Sequence, residues 1–361
     1  MAGRATGRGR VSRNEVTQRD TPATIRTSEI VMDKLEWNVN RRRLTDTVAG
    51  LDGRLLLAIG VGSGAEARAL HHALTDVEEA GAVPDYVGGF VYFVSGYLCA
   101  AAHGLPDLGY ILRGEIVRQT DIIEQATWMA ALDRGNEAHP LGVDIDTGYG
   151  TEPSAVALTC RQVHKQGAAY VQIEDQHSIN KSCGHMAGSR GEGKKVVDAA
   201  EMIATRLAPA LAYAGAQEDL LVAARTDALS SLGIDEAIER AIAYADAGAQ
   251  IVFVEAPESE EQLARIGADL AGSSALNVAN MVEGSPRTPY LSPRRTHELG
   301  FDIALYPIGA LLTGHEAATR YFDALVRGRP GEAGPGAETC FTDFNQVIGG
   351  EQTERWNRFF D

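Results

Sequence analysis

The sequence predicts an α/β protein built as a (β/α)8 TIM barrel, and three observations support this fold class. Eight short apolar runs recur from about residue 55 onward, a helix-like pattern follows most of them, and polar residues end five of the eight runs. Because barrel active sites lie at the carboxyl ends of the strands, these polar ends favour a closed barrel over a doubly wound open sheet.

The eight apolar runs are the predicted barrel strands. In chain order they read LLLAIGV, FVYFVSG, GVDIDT, AYVQIED, LLVAART, IVFVEA, ALNVAN and DIALYP. The segment GVGSGAEA at the end of the first run lacks the last glycine of a dinucleotide-binding loop and has no evident acidic partner. The first strand is therefore not predicted to open a nucleotide site.

Helices are predicted between these strands from apolar spacing and capping signals. Ile234, Ile238 and Ile242 recur at i, i+4 and i+8, a spacing that places them on one helix face. Ser259, followed three residues later by Gln262, is a capping box for the next helix.

Two extensions flank the predicted barrel. Residues 1–29 are Arg-, Thr- and Gly-rich without an apolar signal region, and we expect a disordered basic tail. Residues 30–327 are expected to hold the barrel and a leading helix over about residues 30–47. Residues 328–361 begin with a Gly/Pro-rich linker and end in an aromatic, amphipathic helical tail, which should dock on its own barrel or on a neighbouring subunit.

The composition limits the classes of partner that this protein is expected to bind. A net charge of −16 and a pI near 5.0 argue against nucleic acid as the main partner, although a pocket can still be locally positive. No apolar run reaches 18 residues, so no membrane span is expected. The four cysteines have neither metal-site spacing nor a disulfide pattern, which predicts a cytoplasmic protein.

The run GVDIDT offers a candidate metal site. Asp144 and Asp146 are two residues apart at a predicted strand end, so both carboxylates should point the same way. Two such carboxylates repel each other unless a cation or protons intervene, and hard oxygen ligands suit Mg²⁺. The same letters are also an ordinary turn signal, and spacing alone leaves both interpretations open.

A polar loop after the fourth run carries the candidate acid/base group. Cys183 has Lys181 and His185 nearby, and positive neighbours lower a thiol pKa. Proton transfer and nucleophilic attack are both open to such a thiol. An inert cysteine is the alternative.

Three further strand ends carry candidate binding groups. Arg225, at the end of a buried run, needs an anion, either a substrate carboxylate or Glu255 as a structural partner. Glu174 could support the site or be an ordinary rim charge. The turn at residues 95–97 offers backbone N–H groups that could hold a carboxylate.

Many of these segments, in this order, resemble the isocitrate lyase/phosphoenolpyruvate mutase superfamily. The resemblance runs from about residue 60 to the chain end and rests on SGY, GLPDLG, DIDTGYG, IEDQ, CGH, ARTDAL, VEAPE, NVANMVEG and ALYP. SGY and ANMVEG are most similar to the branch that holds 2,3-dimethylmalate lyase and oxaloacetate hydrolase.

The resemblance implies a fold, a metal and residue roles. It implies a (β/α)8 barrel, Mg²⁺ with Mn²⁺ as a substitute, and a homotetramer that swaps its C-terminal helices. It implies Cys183 as acid/base group, with Lys181, His185, Arg225 and Glu174 beside it. It further implies metal binding by Asp144, Asp146 and Asp107, and a substrate site in which residues 95–97 bind a carboxylate. The substrate site is formed by Ser95, Gly96, Tyr97, Gly184, Arg225, Glu255 and Asn280.

Three departures from the family pattern bear on the substrate. Ser182 stands where the family has Lys or Arg, so the Cys183 thiol should be less acidic. Leu312 falls where methylisocitrate lyases carry an arginine, which disfavours a third substrate carboxylate. The interval before LPDLG is one residue short, which bears on the placement of Asp107.

These observations predict a Mg²⁺-dependent carbon–carbon lyase. It would cleave a 2-hydroxy di- or tricarboxylate, with an alkylmalate favoured, to pyruvate or glyoxylate and a second carboxylate. An oxaloacetate-type C–C hydrolase, a phosphonomutase acting on a P–C bond and a non-catalytic barrel are the alternatives.

Overall fold

A computed structural model describes residues 41–179, 181–186, 194–217, 219–334 and 341–360. Eight parallel strands pair in chain order, and the eighth pairs with the first, so the sheet is a closed barrel. The eight predicted strands and the predicted fold class are confirmed. The strands are β1 Leu55–Gly60, β2 Val87–Val94, β3 Leu141–Asp144, β4 Ala168–Glu174, β5 Leu221–Thr226, β6 Ile251–Val254, β7 Leu276–Asn280 and β8 Ile303–Tyr306.

Helices connect successive strands on the outside of the barrel. A π-helical segment, Ile203–Leu207, joins α6 to α7, and a 3-10 turn spans Pro330–Glu332. The described α-helices are α1 Leu44–Ala49, α2 Gly64–Glu79, α3 Gly96–Ala102, α4 Arg113–Arg134, α5 Pro153–Lys165, α6 Ala199–Met202, α7 Ala208–Ala214, α8 Leu229–Leu232, α9 Ile234–Asp246, α10 Glu260–Leu270, α11 Pro293–Glu298, α12 Gly309–Val326, α13 Phe341–Val347 and α14 Gly350–Phe360. No described helix is long and apolar enough to cross a membrane.

The strands are apolar throughout because both of their faces are buried. In β2, Val91 and Phe93 belong to the cluster inside the barrel, while Tyr92 and Val94 belong to the cluster between strands and helices. The inner cluster also contains Leu44 from α1. The polar residues at the strand ends therefore lie above a closely packed apolar core.

Two helix predictions need correction. The leading helix was expected over about residues 30–47, but α1 covers Leu44–Ala49, and residues 30–40 lie outside the described part of the chain. Arg41 instead forms a β-bridge with Ala138, which keeps the chain extended there. In α9, Ile238 is buried but Ile242 is 39% exposed, since eight residues turn a helix well past two full turns.

The predicted cap of α10 is confirmed in most of its detail. The Ser259 side chain accepts a hydrogen bond from the Gln262 backbone N–H. The Gln262 side chain accepts from the backbone N–H of Glu258, one residue before the cap, at 2.7 Å.

The C-terminal tail is helical, as predicted, and touches its own barrel. Arg68 of α2 donates to the backbone oxygen of Val347 at 2.6 Å and pairs with Asp133 of α4. The division of the chain at residues 29 and 327 stays a prediction, as does the swapping of the tail between subunits.

Candidate active site

A cavity of about 250 Å³ opens at the carboxyl ends of the strands. Leu312, Ile308 and Pro307 form part of its apolar wall. Four of the predicted site residues do not line the cavity but lie next to residues that line it: Gly96, Asp146, Glu174 and Lys181. The other ten line it: Ser95, Tyr97, Asp107, Asp144, Cys183, Gly184, His185, Arg225, Glu255 and Asn280.

Asp144 and Asp146 converge as the sequence predicted, although strand alternation is only part of the reason. Asp144 ends β3, and Asp146 follows it with a positive φ of 50°. The Asp146 backbone N–H donates to Asp144 Oδ1 at 3.0 Å. Both carboxylates also face Gly96, where a Cβ would come within 3.1 Å of Asp146 Oδ1. Glycine at this position leaves room for the carboxylates.

The charge of this pair is partly compensated by Lys181. Its Nζ donates to Asp107 Oδ1 at 2.7 Å and lies 2.6 Å from Asp146 Oδ1. Burial alone would lower the pKa of Lys181, but Asp146 and Asp107 hold it well above its usual value. Asp144 stays undercompensated, since burial and the neighbouring Asp146 raise its pKa to about 7.

This donor set fits a hydrated Mg²⁺ ion. The family resemblance implies a divalent metal at this site. Among the described residues, no three His, Cys, Asp or Glu side chains converge to enclose a metal. Mg²⁺ keeps several of its waters and needs only one or two protein carboxylates. Asp144 and Asp146 could hold it, and a cation would relieve the charge that raises the Asp144 pKa.

The thiol of Cys183 lies at the cavity wall, but its predicted activation by positive neighbours is wrong. Burial and the nearby Asp107 raise its pKa to about 11. Lys181 does not act on the thiol because its ammonium group is engaged by Asp107 and Asp146. Cys183 is therefore a protonated thiol at neutral pH.

The backbone around Cys183 packs tightly against the far side of the cavity. A Cβ at Gly184 would overlap the Glu255 carboxylate, so this contact requires glycine. His185 Nε2 lies 3.1 Å from Glu255 Oε1, and Asn280 Nδ2 lies 3.4 Å from Glu255 Oε2. Burial would raise the pKa of Glu255, but Arg225 and His185 lower it.

Arg225 has a closer structural partner than the sequence suggested. Its Nε and Nη2 each donate to the Asp227 carboxylate at 2.9 Å, whereas Glu174 and Glu255 lie 3.4 and 3.6 Å from Nε. Lys194 also donates to Asp227, at 2.7 Å. These cations hold the pKa of Asp227 below its usual value although burial opposes this. The guanidinium thus keeps one rigid orientation towards the cavity.

Sequence reasoning missed the role of three polar residues near the cavity. Asp227 stands two residues after Arg225, and that spacing at a strand end could have revealed the pair. Lys194 and Ser285 come from distant loops, and no local signal in the sequence points to their partners.

The turn at residues 95–97, which is predicted to hold a carboxylate, forms the start of α3. Ser95 is the N-cap, and its Oγ accepts from the Tyr97 backbone N–H at 3.1 Å. The Ser95 and Tyr97 side chains both line the cavity, so they remain candidates to contact a substrate.

Comparisons with known proteins agree with this geometry. The sequence profile of the phosphoenolpyruvate phosphomutase family matches residues 86–323. The chain belongs to the phosphoenolpyruvate mutase/isocitrate lyase superfamily. Within the superfamily it is 34% identical over 268 residues to 2,3-dimethylmalate lyase of Eubacterium barkeri, covering 72% of this chain and 82% of that protein. It is 32% identical over 294 residues to 2-methylisocitrate lyase of Bacillus subtilis, covering 81% and 86%.

A solved structure from the superfamily gives the same result. Oxaloacetate acetylhydrolase, in complex with 3,3-difluorooxalacetate, superposes with a TM-score of 0.73 at 27% identity, covering 88% of this chain and 95% of that one. The chain is thus an enzyme of the isocitrate lyase-like class, a group of carbon–carbon lyases. Its named relatives act on small carboxylates.

Proposed function

We propose that this enzyme is a Mg²⁺-dependent lyase that cleaves the C2–C3 bond of a 2-hydroxy dicarboxylate. The observation that carries the proposal is the meeting in one cavity of a protonated thiol, a fixed guanidinium and Asp144, whose partner Asp146 lies directly behind it. The products would be a 2-oxo acid, pyruvate or glyoxylate, and a second carboxylate.

The residues divide the reaction between them. A carboxylate that lines the cavity accepts the proton of the C2 hydroxyl, the C2–C3 electron pair moves onto C3, and C2 becomes the carbonyl carbon of the 2-oxo acid. The negative charge spreads into the C3 carboxylate as an enediolate, which a guanidinium such as Arg225 stabilises. The Cys183 thiol then donates one proton to C3. The raised pKa of Cys183 suits this role, because the thiol is protonated before the step.

Asp144 and Asp146 would hold the metal ion, with Asp107 nearby through Lys181. When bound, Mg²⁺ would polarise the 2-hydroxy acid oxygens and favour loss of the hydroxyl proton. Mn²⁺, which also takes oxygen ligands, would substitute.

The cavity favours a small alkyl-substituted diacid. Among the described residues that line it, Arg225 is the only Lys or Arg. Leu312 lies in the wall, together with Ile308, Pro307 and Val282. A third carboxylate placed against this wall would have no cationic partner, whereas a methyl or ethyl group would be well accommodated. The relative named 2,3-dimethylmalate lyase fits this preference.

A product assay tests the proposal. Purified protein with Mg²⁺ is given 2,3-dimethylmalate, other alkylmalates, isocitrate, 2-methylisocitrate and oxaloacetate, and the products are identified by mass spectrometry. We expect a 2-oxo acid from an alkylmalate, lost on addition of EDTA and in Cys183→Ser. Formation of no 2-oxo acid from any of the hydroxy acids would contradict the proposal.

The oxaloacetate C–C hydrolase is the second candidate, favoured by the superposition on oxaloacetate acetylhydrolase. It would use the same site with water as the second reactant. In the same assay, oxalate and acetate from oxaloacetate, without cleavage of the alkylmalates, would identify it. A phosphonomutase would act on none of these compounds and would convert a phosphonate instead.

A further inference from the structure

The His185 imidazole connects the Cys183 segment to a loop on another wall of the cavity. Its Nδ1 lies 2.7 Å from Ser285 Oγ, and its Nε2 lies 3.1 Å from Glu255 Oε1. Cys183 follows β4, Glu255 follows β6 and Ser285 follows β7. This one side chain thus reaches from the loop after β4 to the loop after β7.

The other end of the Cys183 segment is fixed by different contacts. The Cys183 backbone N–H donates to the Asp107 backbone oxygen at 2.9 Å. The Gln176 side chain accepts from the Ser182 N–H at 3.1 Å and donates to the Ser182 oxygen at 2.9 Å. On its carboxyl side, the side-chain contacts that the structure describes for the segment are those of His185.

Ser285 and Glu255 hold His185 in different ways. Glu255 is buried and also contacts Arg225 and Asn280, so its position serves several groups. Ser285 is half-buried, and its Oγ accepts from the Arg287 backbone N–H at 3.2 Å. A carboxylate only accepts hydrogen bonds, so the neutral imidazole carries its proton on Nε2, facing Glu255, and Nδ1 accepts from the Ser285 hydroxyl. The Ser285 hydroxyl therefore fixes the orientation of the ring from its Nδ1 side.

We propose that Ser285 is a positioning residue for the Cys183 thiol and acts through His185. This inference deepens the proposed function, since it assumes that Cys183 is the proton donor. Ser285 itself takes no part in the proton transfer. Its hydroxyl keeps His185 seated, and His185 keeps the thiol two residues earlier at the cavity wall.

The test compares Ser285→Ala, which removes the hydroxyl, with Ser285→Thr, which keeps one. Ser231→Ala, at an exposed site on α8, is the matched control. The Mg²⁺-loaded enzyme is treated with iodoacetamide, and alkylation of Cys183 is followed on the tryptic peptide of residues 182–190, which contains no other cysteine. The kcat and KM for the cleaved alkylmalate are measured on the same preparations.

Loss of one hydrogen bond changes an equilibrium about three- to tenfold. In Ser285→Ala we expect Cys183 to be alkylated about three- to tenfold faster and kcat to fall by a similar factor, with KM changed less. Ser285→Thr should restore both values, and Ser231→Ala should match the wild type. Equal alkylation rates in wild type and Ser285→Ala, or a Ser285→Thr variant that behaves like Ser285→Ala, would overturn the proposal. If Ser285→Ala is alkylated faster but the wild type cleaves no hydroxy acid, the positioning role of Ser285 stands and the proposed function is rejected.

Discussion

At the scale of single residues, the site depends on close approaches that permit no larger side chain. Gly184 lies against the Glu255 carboxylate with no space for a Cβ. Ser182, where the family resemblance leads one to expect a basic residue, is buried, and Gln176 pairs with its backbone. Lys181 is the cation of this segment, and its ammonium group pairs with Asp107 and Asp146 rather than with the thiol. A second basic side chain at residue 182 is therefore not needed to balance Asp107 and Asp146.

We predict that Gly184→Ala lowers kcat/KM by about 100-fold, the effect of a displacement of about 1 Å at a reacting group. The new methyl group would push His185 and Cys183 away from Glu255. The measurement is steady-state kinetics on the cleaved substrate, with thermal unfolding as a check on folding. Gly114→Ala is the control, because nothing lies within 4 Å of a Cβ at that position in α4. It should keep full activity and gain about 0.5–1 kcal/mol of stability. Wild-type activity in Gly184→Ala would show that this contact is dispensable.

At the scale of elements, a buried polar layer joins α2, α4 and β2. His71 Nδ1 contacts the Tyr92 hydroxyl at 2.8 Å, and Nε2 contacts Asn136 Oδ1 at 2.9 Å. Burial lowers the pKa of His71 to about 4 and that of His139 to about 3. Both imidazoles are thus neutral in the folded protein at neutral pH, and protonation requires their exposure.

These two histidines should make stability depend on pH. Their folded pKa values lie below the value of 6.5 for a free histidine, so the unfolded chain binds protons more readily. Their contribution is complete above about pH 6.5 and is lost as the pH falls from 6.5 towards 4, by up to about 1.4 kcal/mol per pH unit for each group. Urea unfolding between pH 7 and 4.5 measures this slope. His139→Gln should show a shallower slope, and His177→Gln, at an exposed residue outside α12, should show the wild-type slope. Equal slopes in all three proteins would refute the assignment.

The strands and the site differ in how far sequence predicts them. All eight strands follow from apolar runs, because local hydrophobicity decides burial in a barrel. The convergence of Asp144, Cys183 and Arg225 follows from the rule that strand ends share one rim. The raised pKa of Cys183 cannot be predicted from the sequence, since it depends on burial and on which side chains pair with Lys181. The Ser285–His185 contact joins residues 100 positions apart and has no local signal.

At the scale of the whole molecule, α12 is a long helix that the described residues leave almost uncovered. Of its 18 residues, only Ala324 is buried by the described part of the chain. Phe322, Leu325 and Val326 are 59%, 44% and 82% exposed. A helix with this much exposed apolar surface normally faces another protein. The family resemblance implies that this other protein is a second copy of the chain.

We therefore predict an oligomer, with a tetramer of the 38.5 kDa chain as the expected state. Phe322→Asp combined with Val326→Asp should shift the population to smaller species, because two charges would enter the interface. Sedimentation velocity measures the mass. Leu232→Asp, at another exposed apolar residue, is the control and should leave the mass unchanged. A wild-type monomer at micromolar concentration would refute the prediction.

The measurement that tests the central claim most directly is cleavage of a 3-alkylmalate in D2O. Carbon–carbon cleavage with one proton donated by Cys183 predicts equal amounts of 2-oxo acid and carboxylate. The carboxylate should carry one solvent deuterium on the former C3, in a single configuration, since the thiol reaches only one face. Deuterium on both faces, or no 2-oxo acid at all, would contradict the account.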